Sequence, residues 1–95
     1  MGRVLYSDFL VTVKSYLRID YDDDDPIIES FILAAKQYLL GVGVTEQPDN
    51  ELYKLVVMML VGLFYENRNV SESELKIPAV ILNFITQLSI KAVKP

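Results

Sequence analysis

The chain has 95 residues, a net charge of -4, and neither cysteine nor histidine. Disulfides, thiol chemistry, zinc sites built on Cys or His, and histidine-based triads are therefore excluded. With 13 acids against 9 bases, the chain lacks the clustered Lys and Arg that a tight grip on a phosphate backbone requires. The sequence is 52% hydrophobic and 23% charged. That is too apolar for wholesale disorder and rich for a small monomer, although apolar atoms are common on all protein surfaces. An oligomer that hides part of its surface is the favoured reading. No run reaches the roughly 20 apolar residues of a membrane span. The start, Met1 to Asp8, meets an acid too early for a signal peptide. A single domain over residues 1–95 is expected.

The first predicted helix runs from about Phe9 to Arg18, capped by Ser7 or Asp8. Phe9, Val13, Tyr16 and Leu17 share one face. Val11, Thr12 and Val13 are β-branched and suit a strand as well, but the cap and the face pattern favour helix. Asp25 before Pro26 is a strong start for the second helix, because the carboxylate caps and the proline sacrifices no bond. This helix runs to about Leu40, with Ile28, Phe31, Ile32, Ala35, Tyr38 and Leu39 on its apolar side. Gly41 is the predicted stop. The following Gly41-Val42-Gly43-Val44 reads as a loop with exposed valines.

Asp49 or Asn50 caps the third helix, which extends to about Glu66. From Leu52 to Tyr65 its only charge is Lys54. A helix apolar nearly all round belongs in a large core or a membrane, and neither is available at this length. It is therefore predicted to be central, with one side closed by another subunit. Met58 and Val61 lie with Lys54 and Tyr65 on the side least accounted for by an internal core. Aspartate at Met58 or Val61 is expected to leave a folded monomer that no longer assembles, whereas Leu60→Asp should destabilise the fold. Asn67 to Ile77 reads as a long polar loop. Pro78 opens a fourth helix bearing Ile81, Phe84, Ile85 and Leu88. The fold class is thus all-α: a small bundle of about four helices with a long loop between the third and fourth.

Few residues suggest chemistry. Asp20, Asp22 and Asp24 match the first three ligand spacings of a calcium loop, yet Asp25 stands where that loop needs glycine and Phe31 where it needs glutamate. Helix capping within a solvated acidic turn explains the run more simply, and a contact to a basic patch on another protein is compatible with it. Arg68 either faces solvent or reaches a carboxylate in fixed geometry, as its planar donor fork allows. Glu66 is not that partner, because residues two apart do not face each other on a helix. Lys36 and Lys54 are expected to snorkel. No catalytic residue, metal or cofactor is expected.

Tyr16-Leu17-Arg18-Ile19-Asp20, acids before a helix with Ile28 and Ala34-Ala35, Tyr65-Glu66-Asn67-Arg68 closing an apolar helix, and Ile77-Pro78 opening the last one stand in a characteristic order. Over roughly residues 9–88 the chain resembles the head–tail connector proteins of tailed bacteriophages, the adaptor or head-completion proteins of the HK97 type. The resemblance implies a non-catalytic virion subunit that closes by heterologous contacts into a ring of about twelve copies at the phage neck. Its partners would be further copies of itself, the portal protein, and a stopper or tail-completion protein. DNA would pass through the lumen without tight binding, and no membrane is involved. Assembly would take place in the host cytoplasm. Tyr16, Leu17 and Ile19 would be packing residues, and Asp20 would begin the turn. Tyr65 and Arg68 would anchor the long loop, and Pro78 would mark the last helix. The competing reading is a small helical adaptor or regulator that docks one partner as a monomer or dimer.

Overall fold

The computed structural model describes residues 8–70 and 75–92, with side chains as far as Ile90. Four helices make up the fold: α1 (Phe9–Leu17), α2 (Asp25–Gly41), α3 (Glu51–Glu66) and α4 (Ala79–Ala92). There is no strand among the described residues. The tail residues 93–95, Ser7 as a cap, and residues 71–74 of the predicted long loop lie outside the described residues.

The nine residues of α1 turn Leu10 and Val13 fully inward, with Phe9 and Leu17 packed at the edge of the core. Tyr16, expected on the apolar face, is 46% exposed. Positions 10, 13 and 17 are spaced three and four apart, so the buried stripe is rotated slightly from the expected one. Asp8 makes no side-chain cap. Arg18 ends α1 at φ 62°, in the left-handed region. From there Arg18 N–H donates to Ser15 O, and Ile19 N–H donates to Lys14 O. This pair of bonds satisfies carbonyls that a helix end leaves open.

In α2, Ile28, Ile32, Ala35 and Leu39 are buried, and Phe31 and Tyr38 pack partly against them. Asp24, rather than Asp25, stands at the N-cap, and its side chain does not cap. Both carboxylates are engaged elsewhere in the fold. The expected stop also moves by two residues. Gly41 is helical, and Gly43, at φ 94°, makes the left-handed turn. Gly43 N–H donates to Leu40 O, and Val44 N–H donates to Leu39 O. That geometry swings Val44 back into the core, where it has no exposed area. The residue following such a turn commonly makes this contact with the helix's last turn. Of the two valines expected to be exposed, only Val42 is, at 44%.

Asn50 caps α3, its side-chain oxygen accepting from Leu52 N–H at 2.9 Å. The helix is central as predicted, packed by α1, α2 and α4. Leu55, Met59 and Leu63, spaced four apart along one side of α3, are only half-buried. Tyr53, Val56, Val57, Leu60, Val61 and Gly62 are buried, and none of the large apolar residues of α3 is strongly exposed. Gly62 allows the approach of α1: a Cβ there would lie 3.4 Å from a Leu17 methyl and 3.5 Å from the Tyr16 ring. Pro78 precedes α4 and its carbonyl accepts from Ile81 and Leu82 N–H. Ile81, Ile85 and Leu88 are buried, and Phe84 packs against the cluster. No helix is long and apolar enough to cross a membrane among the described residues.

Candidate functional site

The acidic turn between α1 and α2 is a tertiary clamp. Lys14, on α1, places its ammonium 2.7 Å from Asp22 Oδ1 and 2.8 Å from Asp25 Oδ1. The bond to Asp22, followed by that to Asp25, holds the lysine pKa above its ordinary 10.5. The neighbouring Asp24 carboxylate accepts from the Tyr65 hydroxyl at 2.5 Å, which ties α2 to the last turn of α3. Tyr21 completes the group, with its hydroxyl 3.3 Å from that of Tyr65 and 3.4 Å from Asp24. The Asp24 bond, and after it the Tyr21 contact, push the Tyr65 phenol well above its ordinary 10.0. Three helices therefore meet through a base, three carboxylates and two phenols within one turn. Among the described residues no group of three or more acids converges in the manner of a metal site.

The residues singled out from sequence do not form one site. Tyr65 belongs to the clamp, and Asp20 lies exposed beside it. Tyr16 lies half-exposed where α1 crosses Gly62. Pro78 shares a shallow cleft with Tyr16, Arg18, Met59 and Val80. Arg68 is exposed, as the solvent-facing reading expected, with its guanidinium 4.3 Å over the Tyr65 ring and donating to the Tyr65 carbonyl. No carboxylate pairs with it among the described residues. Met58 is half-buried against the core. Val61 has no exposed area at all, so aspartate there would disrupt the subunit before it could affect a neighbour. Lys36 pairs with Glu46 at 3.1 Å and Lys54 with Glu51 at 2.9 Å, where solvated snorkelling was expected.

Sequence reasoning missed where the surplus apolar surface goes. It lies on the outward sides of the helices that wrap α3. On α2, Leu33 and Leu40 are each 57% exposed, with Ile27 at 37%. On α4, Ile90 is 67% exposed, Val80 47% and Leu82 45%. The remaining outward positions, including Ser30, Ala34 and Gln37 on α2 and Asn83, Thr86 and Gln87 on α4, are uncharged. A solvent-facing side normally carries Lys, Glu, Asp or Arg. The detectable signal was α4 itself, which has no charged residue from Ala79 to Ile90. One buried stripe explains only part of that.

The fold is all-α, its ionic groups serve as struts between helices, and its flanking helices turn uncharged apolar sides outward. The profile of the phage gp6-like head-tail connector proteins matches residues 8–92, nearly the whole chain, and the protein belongs to that family. Comparison with curated proteins and with solved structures gives no match.

Proposed function

We propose that this protein is a structural subunit of an oligomeric ring in the phage neck, joining the portal to a tail-side stopper around the DNA passage. It works by packing and carries out no reaction. One observation supports this reading most directly. A member of a head–tail connector family buries a continuous apolar core and still presents uncharged apolar sides on both α2 and α4. A ring subunit needs two different faces, one for each neighbour. The charge balance fits a conduit, since a lumen rich in Lys and Arg would hold phosphates and resist passage. The ring is built in the host cytoplasm and ends in the virion.

The test is sedimentation and negative-stain imaging of the protein at rising concentration, alone and mixed with portal rings. Ring-shaped oligomers, free or seated on the portal, are expected. A protein that remains monomeric under both conditions overturns the reading. Duplex DNA at physiological salt should bind no tighter than the micromolar range of non-specific contacts, roughly 10⁻⁴–10⁻⁶ M. Nanomolar affinity in a fluorescence-anisotropy titration contradicts a passive lumen.

A further inference from the structure

Two of the outward faces have matching geometry. On α2, Pro26, Ser30, Leu33, Gln37 and Leu40 are all exposed and alternate at spacings of four and three. On α4, Val80, Asn83, Gln87 and Ile90 are all exposed and alternate at three and four. This spacing makes a straight seam along a helix and lets two helices interlock side by side. The seams run about 21 Å and about 15 Å at the helical rise of about 1.5 Å per residue. Both helices flank α3, so a subunit carries one seam on each of two wrapping elements.

The surroundings of the seams differ in sign. From residue 19 to residue 41 the chain has six acids and one base, Lys36, and from residue 75 to the end it has three lysines and no acid. Some of the acids are committed within the subunit, Asp22 and Asp25 to Lys14 and Asp24 to Tyr65. Asp20 and Asp23 remain exposed at the start of α2. Lys76 precedes α4 and Lys91 falls in its last turn. Laying α4 against α4 would bring lysines together, and laying α2 against α2 would add acid to acid in the parallel orientation. Laying α4 on α2 unites opposite signs.

We infer that the α4 face of one copy docks on the α2 face of the next, giving a head-to-tail contact that repeats around the ring. This rests on the proposed ring and specifies its interface. The occupant of each seam is a second copy of this chain. A single contact is one helix on one helix, smaller than the ~800 Å² per partner of a stable interface. Closure supplies the remainder, because the last contact in a ring is intramolecular. Assembly is accordingly steep in concentration.

The interface is tested by complementation. Leu33→Asp spoils only the α2 face and Ile90→Asp only the α4 face, and both residues are exposed enough for the fold to persist, which circular dichroism checks. In analytical ultracentrifugation the wild type should form oligomers while each variant alone stays monomeric. At the highest attainable concentration an equimolar mixture of the two variants should show a weak heterodimer and nothing larger, since it joins one intact α2 face to one intact α4 face without closure. If the wild type assembles and either variant assembles equally well, the ring stands and this interface is wrong. If Ile90→Asp alone forms dimers, like faces pair and the head-to-tail arrangement is wrong. If the wild type never assembles, alone or on the portal, the ring reading itself fails.

Discussion

Arg18 occupies left-handed backbone at φ 62°, where a side chain beyond glycine costs about 1–2 kcal/mol. Replacing it with glycine relieves that strain and adds unfolded-chain entropy, so Arg18→Gly should stabilise the fold by about 0.5 kcal/mol net. A higher urea midpoint with an unchanged slope is the expected reading. A lower midpoint would mean that the arginine side chain supports the turn. Tyr65 carries the opposite expectation. Tyr65→Phe removes the donor from the Asp24 carboxylate and should cost about 1 kcal/mol, a part-exposed charged hydrogen bond being worth less than a buried one. The alkaline limb tells more. The phenol of Tyr65 and the ammonium of Lys14 both have raised pKa values in the fold. Their contributions are complete below the unfolded values of 10.0 and 10.5 and are lost as pH climbs through the folded ones. Wild-type stability should therefore fall with rising pH above 10.0, and the fall should be shallower in Tyr65→Phe. Identical alkaline slopes for the two proteins would remove Tyr65 from the account.

At the scale of elements, the helix ends decide where the chain goes next. The turn at Gly43 returns Val44 to the core beside the last turn of α2. Gly43→Ala puts a Cβ on backbone at φ 94°, and it should lower stability by about 1–2 kcal/mol. The space around Gly43 is open, so the loss would come from backbone strain alone. An unchanged urea midpoint would show that the turn can relax without consequence. The acidic turn before α2 illustrates the same division. Pro26 and its neighbouring aspartates marked a helix start correctly to within a residue. The carboxylates then took tertiary partners, Lys14 and Tyr65, in place of the local backbone. An ion pair or a phenol from another helix competes directly with a cap for the same oxygen atoms.

For the whole molecule, the central question is where a surplus of apolar residues is placed. Packing α1, α2 and α4 against α3 buries Tyr53, Val56, Val57, Leu60 and Val61 and leaves much of the surplus on the outward sides of the packing helices. Two aspartate substitutions separate core from surface. Val61→Asp buries an unpaired charge at a site with no exposed area and should cost upwards of ~3 kcal/mol, enough to unfold so small a domain. Leu33→Asp, at a site 57% exposed, should leave the fold intact. Circular dichroism and thermal denaturation distinguish the two. A folded Val61→Asp protein would place that side of α3 at the surface after all.

The sequence by itself determined the four helices, their order and the central rank of α3. Each of these follows from local periodicity, from Pro26, Pro78 and Asn50 at the helix starts, and from the near absence of charge between Leu52 and Tyr65. It also determined the family, through motifs kept in order along the chain. Only the tertiary structure decided that Val61 is core, that Leu33, Leu40, Val80 and Ile90 face outward, and that Asp24, Asp25 and Tyr65 brace the helices together. A helix with apolar residues on every side gives no phase to its pattern, so its sequence does not reveal which side its neighbours cover. That depends on how three other helices pack around it. The choice of partner for a carboxylate is likewise made between segments 11 to 41 residues apart, a distance over which no local rule operates.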